Sequence, residues 1–164
     1  MGRHRLHLDK SPGAGGGRRP KKGGPEAQGL GRSRGGLGTK IHACVDALGL
    51  PIRFVLTPGH RGDVIQAAAL LEELKPAAVI ADKAYDADHL HQMLRRIGAE
   101  PVISPRPDRA IKHPCDARLY KERNGVERMF ARLKQFRRVA TRYDKLINHF
   151  RGFVLIAAIV LWLR

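Results

Sequence analysis

Residues 77–82 read Ala77-Ala78-Val79-Ile80-Ala81-Asp82, and this short stretch decides the fold class. Five apolar residues with no polar alternation predict a strand buried on both faces, as in a sheet covered by helices. Working outward, Asp86 is placed to cap a helix carrying Leu90, Met93, Leu94 and Ile97, with Gly98 just past its end. Pro101-Val102-Ile103 follows as another short strand, and residues 104–116, with Pro105, Pro107 and Pro114, read as an exposed loop. Upstream, Asp63 is a candidate N-cap for a helix with Val64, Ala67, Leu71 and Leu74 on one stripe, ended by Pro76. Further back, Ile41, Ala43 and Val45 alternate along one strand, Asp46-Ala47-Leu48-Gly49 turns, and Ile52 to Leu56 returns before Pro58-Gly59. The expected class is a mixed α/β domain.

The charge is unevenly spread. The 164 residues carry 31 Lys+Arg against 15 Asp+Glu, a formal net charge of +16, which favours a polyanionic partner such as nucleic acid. Residues 1–40 hold ten basic and two acidic residues together with 12 of the 18 glycines. Residues 41–117 are nearly neutral, and 118–145 return to ten basic against three acidic. The division expected is a basic, Gly-rich, mostly irregular segment over 1–38 and the mixed α/β domain over 39–164. Two cysteines, Cys44 and Cys115, are too few for a disulfide scaffold and read as free thiols in a reducing cytoplasm. No apolar run in the first twenty residues suggests a secretory signal. Phe153 to Leu163 is apolar for eleven residues, short of the ~20 that span a bilayer, and reads as a core helix over the sheet.

Asp82 leaves the buried strand at its carboxyl end, the edge where open α/β sheets bind ligands. It serves either as a cap for the turn Lys83-Ala84-Tyr85-Asp86 or as a metal ligand or general base. The long basic helix expected over Leu119 to Ala140 offers it company. Its apolar residues Val126, Met129, Phe130, Leu133 and Phe136 fall on an arc of about 120° at helical spacing. Tyr120, Arg123, Glu127 and Lys134 line one edge of that stripe, while Arg128 and Arg132 point away. An ordinary amphipathic helix explains one Arg123–Glu127 pair at i,i+4. It explains less well a single carboxylate surrounded by cations, which suits a phosphodiester.

Tyr120-x-x-Arg123-x-x-x-Glu127 with Lys134 after six residues resembles the Tyr-Arg-Glu-Lys signature of bacterial insertion-sequence transposases with a DDE catalytic domain, in the insertion sequence 4 and 5 superfamily. Gly31-Arg32-Ser33-Arg34-Gly35-Gly36 leading into Thr39-Lys40-Ile41-His42 is similar to the same family. So are the block Ala81-Asp82-Lys83-Ala84-Tyr85-Asp86 and the run from Gln135 to Tyr143. The likeness covers about residues 21–164. It implies an RNase H-like mixed sheet flanked by helices, in which Asp82 and Glu127 hold divalent metal, Mg²⁺ or Mn²⁺. It also implies catalytic support from Tyr120, Arg123 and Lys134. Cleavage and joining of DNA strands would be the activity, with insertion-sequence ends and target duplex as partners of a homodimer on DNA, in the bacterial cytoplasm at the nucleoid. Arg32, Arg34, Lys40, Arg128 and Arg132 are the expected DNA contacts.

The family's first catalytic Asp leaves an apolar strand and is followed by an Arg/His pair. Here Leu6-His7-Leu8-Asp9-Lys10-Ser11 offers Asp9 without either feature. The expectation is therefore a truncated or frameshifted copy lacking an intact first strand, with Asp9 a weak candidate, that binds DNA but cuts it little. A catalytically inactive DNA-binding remnant or transposition inhibitor is the alternative function. His42 is read as packed or surface, and His60 and His113 as loop residues with no partner at metal-binding spacing.

Overall fold

In the computed structural model, which describes residues 5–15, 24–33 and 36–164, the segment Arg5–Gly15 is strand β1 of a six-stranded sheet. This corrects two expectations. The first strand is present, and the described residues of the amino-terminal segment also hold a short helix, α1 (Gly24–Ala27). β1 occupies the middle of the sheet between β3 (Gly36–Val45) and β5 (Ala78–Ala81). It runs antiparallel to β3, pairing His7 with Val45 and Ser11 with Ile41, and parallel to β5, pairing Leu6 with Val79 and Leu8 with Ala81. β2 (Gly31–Ser33) and β4 (Pro51–Pro58) both pair with β3, while β6 (Glu100–Ile103) closes the other edge against β5. A mixed sheet flanked by helices is the expected class, whereas its central strand, with one antiparallel and one parallel neighbour, is the one the sequence reading leaves out. Arg34 lies outside the described residues.

Strand β1 escaped the sequence pattern because only Leu6 and Leu8 are apolar. They pack with Cys44, Val79, Ala81 and Tyr85 on one face, beneath α2 (Ala67–Leu71) and α3 (Asp88–Arg96), which contribute Leu70, Leu71, Leu90 and Leu94. The opposite positions are His7, Asp9 and Ser11, all buried. A central strand with polar residues on one buried face defies the apolar rule for such strands, and functional sites are where such exceptions concentrate.

On that second face Ile41, Ala43 and Val45 of β3 meet Val126, Met129, Phe130 and Leu133 of α5 (Asn124–Leu133) and Phe150, Val154 and Leu161 of α7 (Ile147–Trp162). The apolar run near the carboxyl end is thus a core helix as expected. Among the described residues no helix is long and apolar enough to cross a membrane. The hairpin turn between β3 and β4 docks on α5 through two glycines. Gly49 has φ +81°, and a Cβ there would stand 3.0 Å from the Gly125 carbonyl oxygen.

Three local expectations shift. The continuous helix over Leu119–Ala140 is broken into α4 (Ala117–Tyr120), a 3₁₀ turn at Lys121–Arg123, α5, and α6 (Arg137–Ala140). Asp116, not anticipated, caps α4 by accepting from the Arg118 and Leu119 amides at 2.7 and 3.1 Å. Asp63 and Asp86 cap nothing through their side chains. Asp63 takes ion pairs from Lys10 and Lys40, and Asp86 accepts from the Arg106 amide at 2.8 Å. A nearby cation outcompetes a single amide for a carboxylate. Cys44 and Cys115 are free thiols, and His42 is fully buried, with Nε2 2.8 Å from Thr57 Oγ1.

Candidate active site

The parallel register of β1 and β5 sets two carboxylates side by side. Leu8 pairs with Ala81, so the next residues along the two strands are Asp9 and Asp82. Asp82 is half-buried and accepts from the Ala84 amide at 2.8 Å, so it makes the turn contact as well as facing the site. The third acid arrives from α5, packed across β1 and β3, where Glu127 keeps its side chain half exposed.

Arg123 joins two of the three. Its Nη1 donates to Asp9 Oδ2 at 3.2 Å, and its Nη2 lies 2.7 Å from Glu127 Oε1. The guanidinium also sits over the Tyr120 ring, 5.6 Å from the centroid. A cleft of about 420 Å³ opens beside them, lined by Asp9, Lys10, Ser11, Glu127, Phe130, Ala131 and Lys134. Four residues of the sequence motif therefore do share one place, and the structure adds Asp9 to them.

Asp9 is the electrostatic centre. It is 8% exposed, and its pKa is pushed up to about 6 by burial first, with Asp82 and Glu127 adding repulsion. The Lys10 amide, donating to Oδ1 at 2.8 Å, and Arg123 pull the other way. A carboxylate buried among carboxylates lacks positive charge, and Arg123 is the side chain that partly supplies it. The donor set, three hard oxygen acids from separate elements, fits a divalent cation of the Mg²⁺ or Mn²⁺ type. The Tyr85 hydroxyl is buried nearby without a hydrogen-bond partner, and burial raises its pKa, with Asp63, Asp9 and Asp82 adding to the effect.

The chain belongs to the transposase DDE domain family. The family matches residues 9–163, beginning at Asp9 itself. A Brucella ovis protein named for the transposase of insertion sequence element IS6501 is 48% identical over 128 residues, 77% of this chain and 98% of that protein. The fold resembles the piggyBac transposase in a synaptic complex with hairpin DNA, at TM-score 0.62 and 13% identity over 94% of this chain. It also resembles the catalytic core of BIV integrase, at TM-score 0.55 and 15% identity over 98% of this chain and 84% of that one. This chain spans 45% of the length of the piggyBac transposase chain. The architecture is RNase H-like, and the family places the chain in DNA transposition.

The expected DNA contacts are distributed differently from one another. Arg32, Arg128 and Arg132 are exposed. Lys40 is partly buried, donating to the Arg61 carbonyl at 2.8 Å and to Asp63 at 3.0 Å. Lys134 is exposed at the cleft rim. His113, expected to have no ligating neighbour, lies beside His91 and Asp88. Sequence spacing gave no signal of that, because the three come from an α-helix and a distant loop.

Proposed function

We propose that this chain cuts and joins DNA strands at the ends of a transposable element, with Asp9, Asp82 and Glu127 as the ligands of Mg²⁺ or Mn²⁺. The observation that carries the reading is the convergence of Asp9 and Asp82 by strand register, with Glu127 tied to Asp9 through Arg123. A divalent cation held by these acids would supply activation of the attacking oxygen and stabilisation of the leaving oxygen of a phosphoryl displacement.

The protein's own contribution is to present ionised carboxylates, above about pH 6 in the case of Asp9. Arg123 and Lys134 hold phosphates at the cleft, and Tyr120 positions a backbone oxygen. Water serves as nucleophile for cleavage and a freed 3′-hydroxyl for strand transfer. Arg32, Arg128 and Arg132 carry the flanking duplex, and two copies act together on DNA. The setting is the bacterial cytoplasm, at the nucleoid. An inactive remnant rests on two features, a missing first strand and a missing Arg/His pair after Asp9, and β1 removes the first of these grounds.

The test is strand nicking of duplex carrying the element's ends, with Mg²⁺ or Mn²⁺, by the unaltered chain and by Asp9→Asn, Asp82→Asn and Glu127→Gln. Each substitution is expected to lower cleavage by at least 10³-fold, roughly 4 kcal/mol, with DNA binding retained. A well-folded chain that binds the ends and cuts them with neither metal overturns the proposal.

A further inference from the structure

A second group of ligating side chains lies outside the carboxylate site, where the loop 104–116 folds against the start of α3. Asp86, His91 and His113 each present a ligand atom, and these atoms all lie within 4.8 Å of one another. Asp86 and His91 are buried, and His91 Nε2 is 3.1 Å from Asp86 Oδ1. His113 Nε2 is 2.9 Å from Asp88 Oδ1, and the His91 and His113 rings lie with centroids 3.9 Å apart, tilted by 33°. The start of α3 and a loop distant in sequence thus bring two imidazoles and one carboxylate around one small volume, with Asp88 beside His113.

Arg109 fills that volume imperfectly. Its Nη1 donates to Asp86 at 3.1 Å, and its Nη2 donates to Asp88 while lying 3.1 Å from His113 Nε2. His113 Nε2 can donate to Asp88 or accept from Arg109, but a single ring nitrogen cannot do both. His91 in turn keeps a buried Nδ1 with no partner. Burial holds its pKa low, so the ring is neutral, and moving its proton from Nε2, which faces Asp86, to the unpartnered Nδ1 frees the Nε2 lone pair for an ion. The cluster therefore contains convergent lone pairs that one guanidinium does not satisfy.

We propose that Asp86, His91 and His113, completed by Asp88, bind a transition-metal dication of the Zn²⁺ class, with Arg109 withdrawing as the ion enters. Mixed imidazole and carboxylate ligands suit Zn²⁺ and its neighbours, whereas Mg²⁺ favours all-oxygen sites. A tetrahedral site with bonds of about 2.1 Å has edges of about 3.4 Å, so the ligands draw inward by roughly an ångström. The Arg109 side chain, 18% exposed and on a loop, has a path out to solvent. The bound ion would brace the loop that leads into α4 and α5, and hence the helix carrying Glu127.

The experiment uses the full chain carrying Asp9→Asn and Glu127→Gln, which removes two of the three acids of the carboxylate site, so its result does not depend on the proposed function. Co²⁺ is titrated while visible absorption is recorded. One equivalent is expected to give the intense bands of a four-coordinate ion, displaced by Zn²⁺ and not by Mg²⁺. His91→Ala and His113→Ala should each weaken binding at least tenfold, and Arg109→Ala should strengthen it several-fold. His91 is core-buried and its replacement can unfold the chain, whereas His113 and Arg109 are surface-accessible. Absence of the Co²⁺ spectrum, its indifference to His113→Ala, or weaker binding in Arg109→Ala overturns the proposal.

Discussion

Arg123 donates to Asp9 at 3.2 Å across 114 positions of sequence, and the same guanidinium pairs with Glu127 at 2.7 Å. One side chain thus holds together the strand and the helix whose acids form the site. It also competes with any cation that the two carboxylates would bind.

Replacing Arg123 with Ala is expected to tighten Mn²⁺ binding in the absence of DNA, by several-fold or about 1 kcal/mol, because two acids lose their internal counter-ion. DNA affinity should fall in the same variant. Calorimetry for the ion and fluorescence anisotropy for a labelled duplex read the two effects separately. Weaker Mn²⁺ binding in Arg123→Ala would show that the guanidinium shapes the site and does not compete for it.

Asp9 makes stability depend on pH with a definite sign. Its pKa is raised from an ordinary 3.8 to about 6, so the folded chain holds the proton more tightly than the unfolded one. The resulting stabilisation is complete at low pH, declines as pH rises from about 4 to 6, and is gone above that window. Ionised Asp9 costs at most about 3 kcal/mol, a figure that already includes the opposing pull of Arg123. Asp9→Asn should therefore raise stability in urea by about 1–2 kcal/mol at pH 8 without metal, the gain fading towards pH 4. Mn²⁺ affinity should drop below about pH 6 in the unaltered chain. An Asn variant less stable at pH 8 would contradict the buried, strained carboxylate.

Arg142 is fully buried, donating to Thr39 Oγ1 and to the Asp144 and Lys145 carbonyls at 2.9 and 3.1 Å, with its guanidinium 5.4 Å from the Phe150 ring centroid. It ties the segment between α6 and α7 to strand β3. Truncation to Ala leaves several buried acceptors unserved, and a loss of about 3 kcal/mol is expected in chemical denaturation. Lys, with one compact ammonium in place of a planar fork, should recover less than half.

Gly49 offers a structural control. Gly49→Val places a branched side chain at φ +81° with its Cβ 3.0 Å from the Gly125 carbonyl oxygen, and should destabilise the chain by about 2 kcal/mol or more. Because Gly125 belongs to α5, Mn²⁺ affinity should fall alongside stability. Unchanged melting and metal binding would mean that the hairpin turn does not register α5.

The sequence by itself determined the mixed α/β class, the buried strand ending at Asp82, the apolar helix over the second face, and the edge with Tyr120, Arg123, Glu127 and Lys134. These are local patterns: an unbroken apolar run, a helical period, a family motif within fifteen residues. Only the tertiary structure decided that Leu6-His7-Leu8-Asp9 is the central strand. Its two leucines are too few to signal burial, and its polar face is buried because α5 covers it, a fact about packing. Tertiary contact also decided the fates of Asp63 and Asp86, which the local pattern made helix caps but which distant cations claim as ion-pair partners, Lys10 and Lys40 for Asp63 and Arg109 for Asp86. His113 found His91 in the same way, across a loop whose course no spacing rule specifies. Hydrophobic period and capping are encoded within a few residues, whereas the meeting of charges depends on strand register and on how the helices lie across the sheet.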